Sequence, residues 1–207
     1  MPRTFRHWTP TYVVDPLRAF GNQRRHPEWP WLTADMVRIL QTWLRPSDRG
    51  LEWGSGRSTI WFAQRVASVF SLEHDDAWGK WVRATLSQHG LHNVEHHLIV
   101  SQEQYVTAGH GEFDFILVDG MDGTRDLCAL RAVSLLRPGG ALIVDNCNWF
   151  LPSNSRSPNS VRQSPATEKW AEFLAKVAAW RMIWTSNGVT DTALWIKPDV
   201  VAREDRT

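Results

Sequence analysis

With 207 residues, 23 Lys and Arg against 22 Asp and Glu, and a formal charge of +1, the chain predicts one domain without the basic excess of a large nucleic-acid footprint. No stretch approaches the roughly 18 consecutive apolar residues of a membrane span. Residues 1–6 lack the apolar core of a signal peptide. The two cysteines, Cys128 and Cys147, fit no disulfide framework or zinc pattern. We therefore predict a cytoplasmic protein with two buried thiols that acts on a small molecule and has no nucleic-acid or membrane partner.

Residues 1–30 are rich in Pro, Arg and aromatic residues and show no clear periodicity, so they predict an irregular N-terminal arm. The chain has 13 tryptophans, and each can bury roughly 150–250 Å². We expect most of them in the core, but Trp8, Trp29 and Trp31 lie outside the clearest predicted elements. Packing is the favoured role for these three. The alternatives are a cover over a cleft and a partner surface, including a homodimer contact through the arm.

Residues 33–44 carry apolar side chains at helical spacing, at Met36, Ile39, Leu40 and Trp43, and predict a helix with one buried face. Beyond this helix, apolar runs and helix-period segments alternate. Predicted strands cover residues 51–53, 69–73, 94–100, 113–119 and 141–145, and predicted helices cover residues 58–66, 76–89 and 126–136. This alternation predicts an α/β fold with a mostly parallel sheet, right-handed crossovers and helices on both faces.

Residues 148–164 contain five Ser and three Asn and predict a long surface loop. Loops of this length are often lids or binding loops, and a mobile insertion without a role is the alternative. Ser164 and Pro165 then have the character of a helix N-cap and first helical residue. Two final β-like segments, 182–185 and 193–196, flank a Ser-Asn-Gly hairpin signal and add an antiparallel strand.

Four acidic residues, Glu52, Glu73, Asp119 and Asp145, lie at the ends of predicted parallel strands. Ligands bind outside the carboxyl ends of such strands. After the first strand, residues 54–56 form a Gly-Ser-Gly turn, where backbone can lie against a ligand without an intervening Cβ and free N–H groups open toward it. An acid at the end of the second strand holds ribose hydroxyls in nucleoside-binding folds. The pattern predicts a cleft for a nucleoside-containing cofactor.

Several segments together resemble the class I S-adenosylmethionine-dependent methyltransferases. They are residues 52–56, Glu73, residues 113–120 and the Leu-Arg-Pro-Gly-Gly run at 136–140. The resemblance implies a Rossmann-like sheet of seven strands, ordered 3-2-1-4-5-7-6 with strand 7 antiparallel, and S-adenosyl-L-methionine as the methyl donor. On this basis the chain divides into the arm at 1–30, one methyltransferase domain at 31–198 and a polar tail at 199–207.

A narrower resemblance is to metal-dependent O-methyltransferases of the catechol type. In that group an Asp after the fourth strand and an Asp-Asn pair after the fifth hold Mg²⁺. The resemblance implies the same divalent metal site at Asp119, Asp145 and Asn146. Ser101 and Gln102 resemble the Ser-Gln pair that lies near the adenine in that group.

The implied donor site contains acids, glycines and hydroxyl residues around the first turn. Its residues are Glu52, Gly54, Ser55, Gly56, Ser58, Thr59, Glu73, His74, Ser101, Gln102 and Asp119. Glu52 is expected near the donor's amino group, directly or through the first helix's turn. Glu73 is expected to accept hydrogen bonds from both ribose hydroxyls.

The implied catalytic residues are Asp119, Asp122 and Asp145. The catechol enzymes place a catalytic Lys three residues after the first Asp, where this chain has Asp122. The acceptor's proton therefore goes to Asp122 or His74, or a metal lowers the pKa of the acceptor hydroxyl.

The two acids Asp119 and Asp145 can be interpreted with or without a metal ion between them. Adjacent strands lie about 4.8 Å apart, so Asp119 and Asp145 should lie close together, and one carboxyl pKa rises unless a cation or a donor sits between them. Mg²⁺ would satisfy that geometry. In the alternative, Asp119 contacts the donor or the substrate, Asp145 is hydrogen-bonded, and no ion is present.

These observations favour O-methylation of a small hydroxylated metabolite. A nicotinamide-dependent oxidoreductase is a rival, but its Gly-x-Gly-x-x-Gly turn would need glycine where this chain has Thr59. The other rival is a donor-binding scaffold without catalysis that uses its Trp-rich arm for partners.

Overall fold

The computed structural model describes residues 10–199, with side chains from residue 14 onward. Seven strands form one sheet in the order β3-β2-β1-β4-β5-β7-β6. The strands are β1 (Arg49–Trp53), β2 (Ser68–Glu73), β3 (Val94–Leu98), β4 (Phe113–Val118), β5 (Leu136–Asp145), β6 (Arg181–Ser186) and β7 (Asp191–Ile196). The helices are α1 (Pro10–Arg25), α2 (Ala34–Trp43), α3 (Arg57–Ala63), α4 (Asp76–Gln88), α5 (Gln102–Thr107), α6 (Arg125–Leu135) and α7 (Glu168–Lys176).

Strand β7 pairs antiparallel with both β5 and β6, and the other neighbouring strands pair in parallel. The predicted α/β class, strand order and antiparallel seventh strand are confirmed. No helix among residues 10–199 is long and apolar enough to cross a membrane.

The central strands are buried on both faces because their side chains alternate between two apolar layers. On β4, Ile116 and Val118 pack in a cluster with residues of α6 and α7, and Phe115 and Leu117 pack in a second cluster with residues of α2 and α3. The near-continuous apolar run of β4 therefore reflects helices on both sides.

The register of the strands brings their carboxyl ends to one edge. Trp53, the last residue of β1, lies opposite Leu72 on β2 and Val118 on β4. Val118 in turn lies opposite Val144 on β5. The residues that follow each of these positions, with Glu73, Asp119 and Asp145 among them, therefore share one edge of the sheet.

The N-terminal prediction is wrong in part. Residues 10–25 form a helix that carries Pro16 in its interior, although the sequence predicted an irregular arm. The sequence interpretation missed this helix because its apolar periodicity is weak and because it contains a proline, which usually ends a helix. Trp8 lies outside the described residues, so the homodimer contact through the arm stays a prediction.

The remaining two tryptophans of that group differ in environment. The Trp29 ring stacks on His26 at 4.0 Å between centroids and packs beside the α2 cluster. Trp31 is 52% exposed. Cys128 and Cys147 are both buried and unpaired with each other, as predicted.

The predicted start of α7 is also wrong. Helix α7 begins after Thr167, whose Oγ1 accepts a hydrogen bond from Trp170 N at 3.2 Å, and not at Ser164. The Ala166 N–H donates to Phe150 O at 2.8 Å and holds the preceding segment outside the helix. The sequence interpretation also missed the short helix α5.

Candidate functional site

A cleft of about 760 Å³ opens at the carboxyl ends of β1, β2 and β4. It brings together eight of the predicted site residues: Gly54, Ser55, Gly56, Ser58, Glu73, His74, Asp119 and Asp122. Its other walls include Trp31, for which a cover over a cleft was the alternative to packing, and residues that the sequence interpretation did not select, namely Arg57, Trp78, Trp81 and Arg125. One concave site with convergent polar groups and an aromatic wall is the ordinary form of a small-molecule site.

The two glycines of the first turn have different roles. Gly54 has a φ of +98°, and a Cβ there would lie 2.4 Å from the carbonyl oxygen of Asp119. Gly54 N–H donates to Leu72 O at 2.9 Å, so the chain passes between β2 and the end of β4. Gly56 has extended backbone, and the nearest atom to a Cβ there is 3.6 Å away on Trp78. Glycine is thus required at position 54 by close packing, whereas at 56 it leaves open space in the cleft.

Glu52 is fully buried beneath this turn and does not line the cleft. Its carboxylate accepts hydrogen bonds from three hydroxyls: Thr59 Oγ1 at 2.6 Å, Ser71 Oγ at 2.9 Å and Ser58 Oγ. Burial raises the pKa of Glu52 to about 7, although the three hydroxyls oppose this rise. Of the two predicted routes from Glu52 to the donor's amino group, this position fits the one through the first helix's turn and not a direct contact, because the side chain supports the turn from below.

Thr59 connects this buried acid to the turn. Its Oγ1 accepts from Gly56 N–H at 2.8 Å and donates to Glu52. It is fully buried, so the prediction that Thr59 itself contacts the donor is wrong in this arrangement. Because Thr59 fixes the turn in place, it acts on the cleft through Gly56.

Glu73 ends β2 and faces the cleft with its carboxylate held by backbone. Its Oε1 accepts from the N–H groups of His74 and Asp75, each at 2.8 Å, and its Oε2 accepts from Ser55 N–H at 3.1 Å. The carboxylate therefore joins the first turn to the loop after β2. An ionised carboxylate has about four acceptor sites, so three N–H donors leave room for about one more.

A row of three indole rings forms one wall of the cleft. The ring centroids of Trp31 and Trp78 are 5.9 Å apart, and those of Trp78 and Trp81 are 4.7 Å apart. Trp78 Nε1 donates to Ser55 O at 2.6 Å, and the Arg57 guanidinium lies 5.3 Å from the Trp31 ring. Trp78 and Trp81 lie on α4 directly after the acidic end of β2, a spacing in the sequence that points to this wall.

The floor of the cleft contains an ion pair. Asp119 Oδ1 lies 3.1 Å from Arg125 Nη2. Burial raises the pKa of Asp119, Arg125 lowers it, and the neighbouring carboxylates of Asp122 and Glu73 raise it further. Asp122, in contrast, is 93% exposed at the rim.

Asp145 and Asn146 lie behind this floor, outside the residues that line the cleft. Asp145 Oδ1 accepts a hydrogen bond from Thr192 Oγ1 at 2.5 Å. Burial and the neighbouring Asp119 raise the pKa of Asp145. Asn146 has a φ of 53°, its Nδ2 donates to Thr190 Oγ1 at 2.7 Å, and its Oδ1 accepts from Arg125 at 2.9 Å.

The predicted ligands Asp119, Asp145 and Asn146 do not fit a divalent cation. Each has an oxygen already committed, to Arg125 or to Thr192, and the guanidinium of Arg125 lies among them. Within residues 10–199, no group of three or more His, Cys, Asp or Glu side chains is arranged to hold a metal ion.

Two other predicted regions lie away from the cleft lining. Ser101 and Gln102 are exposed; Ser101 caps α5 with its Oγ 3.4 Å from Gln104 N, and their adenine contact stays a prediction. The 148–164 loop packs on β7, where Ser157 Oγ donates to Asp191 Oδ1 at 2.6 Å. Residues 151–156 line a separate cavity of about 700 Å³ and not the cleft at Glu73.

Comparison with known proteins agrees with this architecture. Residues 51–147 match a family model described as a methyltransferase domain. The O-methyltransferase TomG from Streptomyces achromogenes, solved in complex with S-adenosylmethionine, is 20% identical with a TM-score of 0.61; the alignment covers 92% of this chain and 91% of TomG. An O-methyltransferase from Bacillus cereus, in complex with S-adenosylhomocysteine, is 19% identical with a TM-score of 0.61 and 91% coverage of both chains.

The same fold also carries other chemistry. Precorrin 8w decarboxylase from Methanobacterium thermoautotrophicum is 19% identical with a TM-score of 0.54, over 84% of this chain and 95% of the decarboxylase. A search of curated protein sequences found no match. The family model and the strand order confirm the class I methyltransferase resemblance that the motifs predicted, and the acceptor must be inferred from the site itself.

Proposed function

We propose that this chain, whose residues 51–147 match a family model described as a methyltransferase domain, transfers the methyl group of S-adenosyl-L-methionine to a hydroxyl oxygen of a small molecule. The observation that carries this proposal is the position of Glu73. Its carboxylate is anchored by three backbone N–H groups and faces a cleft whose floor contains Asp119.

Glu73 is the side chain that we assign to the donor's ribose. Its Oε1 already accepts two N–H groups, whereas Oε2 accepts one. The carboxylate therefore offers about one strong acceptor site for a ribose hydroxyl. We accordingly propose that Glu73 accepts a hydrogen bond from one ribose hydroxyl, whereas the sequence predicted bonds from both. The methionine portion of the donor would then lie along residues 54–58, where Gly56 leaves the wall open.

Proximity supplies the main catalytic effect in this proposal. A sulfonium methyl group is already activated, so the protein mainly has to align an acceptor oxygen behind it, which can remove roughly 7–11 kcal/mol of barrier in favourable cases. We assign Asp122 as the group that takes the acceptor's proton, because it lines the cleft and is otherwise exposed. His74 also lines the cleft and is the second candidate.

The aromatic wall narrows the class of acceptor. Trp31, Trp78 and Trp81 offer stacked indole faces to the same cleft that holds Asp119 and Asp122. Planar rings stack on such faces, and each such contact contributes about 0.5–1.5 kcal/mol beyond burial. The acceptor that fits best is a small hydroxylated molecule with a flat, unsaturated ring.

The first experiment measures donor binding by calorimetry with S-adenosylmethionine and S-adenosylhomocysteine. Glu73→Gln keeps the shape of the side chain but removes its charge, and loss of one charge-assisted hydrogen bond of about 1.5–3 kcal/mol should weaken binding by roughly 10- to 150-fold. Glu112→Gln, at an exposed acid outside the cleft, is the matched control. Equal affinities for the two variants would contradict the assignment of Glu73.

The second experiment is a methyl-transfer screen against hydroxylated ring compounds, followed by Asp122→Asn and His74→Gln on the best acceptor. Turnover that falls in only one of the two variants identifies the base. Donor binding without turnover on any phenol, sugar or amine would favour the non-catalytic scaffold. Binding of a nicotinamide nucleotide in place of the sulfonium donor would favour the oxidoreductase.

A further inference from the structure

Arg125 lies in the first turn of α6, six residues after Asp119, and its side chain is 11% exposed. The sequence interpretation did not select it. In the structure its guanidinium lies at the floor of the cleft, between the end of β4 and the end of β5.

Five oxygen atoms lie within 3.4 Å of this guanidinium, and a sixth, Asp122 Oδ1, lies 3.9 Å from Nε. Nε lies 2.9 Å from Gly120 O; Nη1 lies 2.9 Å from Asn146 Oδ1 and 3.4 Å from Asp145 O; Nη2 lies 3.4 Å from Asp119 O and 3.1 Å from Asp119 Oδ1. A guanidinium has five N–H donors in a fixed fork. Four of these contacts are hydrogen bonds, and Asp119 Oδ1 forms an ion pair with Nη2.

The surrounding atoms are carbonyl, carboxylate and amide oxygens, which are also the oxygen types that hard divalent cations select. They belong to the segments after β4 and β5, where the catechol-type resemblance predicted Mg²⁺. The permanently charged guanidinium of Arg125 already lies there. It would repel a divalent ion electrostatically, and it fills the space that the ion would need.

We propose that Arg125 is the resident cation of this cleft: its guanidinium occupies the position of a divalent metal and holds Asp119 and Asn146 in place. Arg125 is a positioning residue, because its Nε, Nη1 and Nη2 atoms each donate a hydrogen bond to an oxygen of the protein. The acceptor's proton is then taken by a cleft side chain without metal assistance. This last consequence rests on the proposed function, whereas the occupancy by Arg125 does not.

The test uses Mn²⁺ as the probe, on the full chain, with S-adenosylhomocysteine present and absent. Electron paramagnetic resonance reports the free Mn²⁺ directly. The wild-type protein should leave Mn²⁺ free in solution. One Mn²⁺ bound per chain, and lost in Asp119→Asn, would overturn the proposal because the oxygens would then hold a metal beside Arg125.

Arg125→Ala removes the cation and the hydrogen bonds that it donates to these oxygens. This variant should bind Mn²⁺ at least about tenfold more tightly than the wild type. The reason is that even a small part of the electrostatic repulsion between two cations a few ångströms apart equals the free energy of a tenfold change in affinity. The double variant Arg125→Ala with Asn146→Ala should not show this increase in Mn²⁺ affinity. Arg125→Lys keeps a charge in the cluster and should resemble the wild type.

Arg38→Ala is the matched control, because Arg38 forms an exposed ion pair with Asp35 at 2.6 Å far from these oxygens in the sequence. It should not change Mn²⁺ binding. Far-ultraviolet circular dichroism checks that each variant is folded. A folded Arg125→Ala variant with no gain in Mn²⁺ binding would overturn the proposal, and if that variant does not fold, the wild-type and Arg125→Lys titrations still decide it.

Failure here differs from failure of the proposed function. If the protein binds neither sulfonium nor its product, the methyl-transfer proposal fails, and the Mn²⁺ titrations remain informative about Arg125. If the donor binds and the wild type also binds Mn²⁺ through Asp119, the methyl-transfer proposal stands and the cation is a metal.

Discussion

Replacement of Glu52 with glutamine should make the stability of the fold less dependent on pH. The Glu52 carboxylate is fully buried and accepts hydrogen bonds from Ser58, Thr59 and Ser71. Glutamine has nearly the same shape but does not ionise. Any pH dependence that the variant loses therefore reports the ionisation of Glu52.

The sign follows from the direction of the pKa change. Burial raises the pKa of Glu52 from 4.5 to about 7 in the folded protein. Below pH 4.5 both states keep the proton, and between 4.5 and about 7 the unfolded chain releases it while the folded protein retains it. The free energy of unfolding should therefore fall as the pH rises through this window and change no further above it, by a total of roughly 3 kcal/mol.

The assay is urea unfolding of wild type and Glu52→Gln at several values between about pH 5 and about pH 8, where small domains unfold in one transition. The wild-type free energy should fall by roughly 3 kcal/mol more than that of the variant over this range. Glu112→Gln, at an exposed acid, should run parallel to the wild type. Parallel curves for wild type and Glu52→Gln would show that Glu52 does not titrate there and would refute the reasoning.

The remaining predictions concern the two glycines and the aromatic wall. Gly54→Ala should lower the free energy of unfolding by about 2 kcal/mol or more, because its Cβ would lie 2.4 Å from Asp119 O and its φ is +98°; chemical denaturation measures this. Gly56→Ala should change stability by less than about 0.5 kcal/mol, since a Cβ there meets nothing closer than 3.6 Å, but calorimetry should show weaker donor binding. A loss as large as that of Gly54→Ala would contradict this distinction. Trp31→Ala should lower stability by less than about 1.5 kcal/mol, since Trp31 is 52% exposed, and should reduce ring-acceptor affinity; an unchanged KM for the best acceptor would remove Trp31 from the site.

Much of the fold was predictable because its signals are local. The continuous apolar run of β4 and the alternation of strands with helices depend on neighbouring residues, and both are confirmed. The prediction failed where the signals compete. Ser164 is a good helix N-cap by type, but the bond from Ala166 N–H to Phe150 O keeps that segment out of α7. Pro16 is a poor helix residue by type, yet it lies inside α1.

The residues of the candidate site were also predictable only in part. Gly54 and Glu73 were selected by type and spacing, and both lie at the cleft. Glu52 was selected on the same grounds, but it precedes the last residue of β1 and is fully buried. Successive side chains on a strand point to opposite faces, so a shift of one residue separates a cleft acid from a buried one.

The sequence by itself determined the order of the elements, the class of the sheet and the presence of acids at the ends of its parallel strands, because periodicity and residue type carry that information locally. Only the tertiary structure decided which acids face the ligand and which cation balances them. Asp119 and Asn146 meet Arg125 through bonds that join the ends of two strands and the start of a helix. Such contacts depend on strand register and on desolvation, which arise only when segments distant in the chain are packed together.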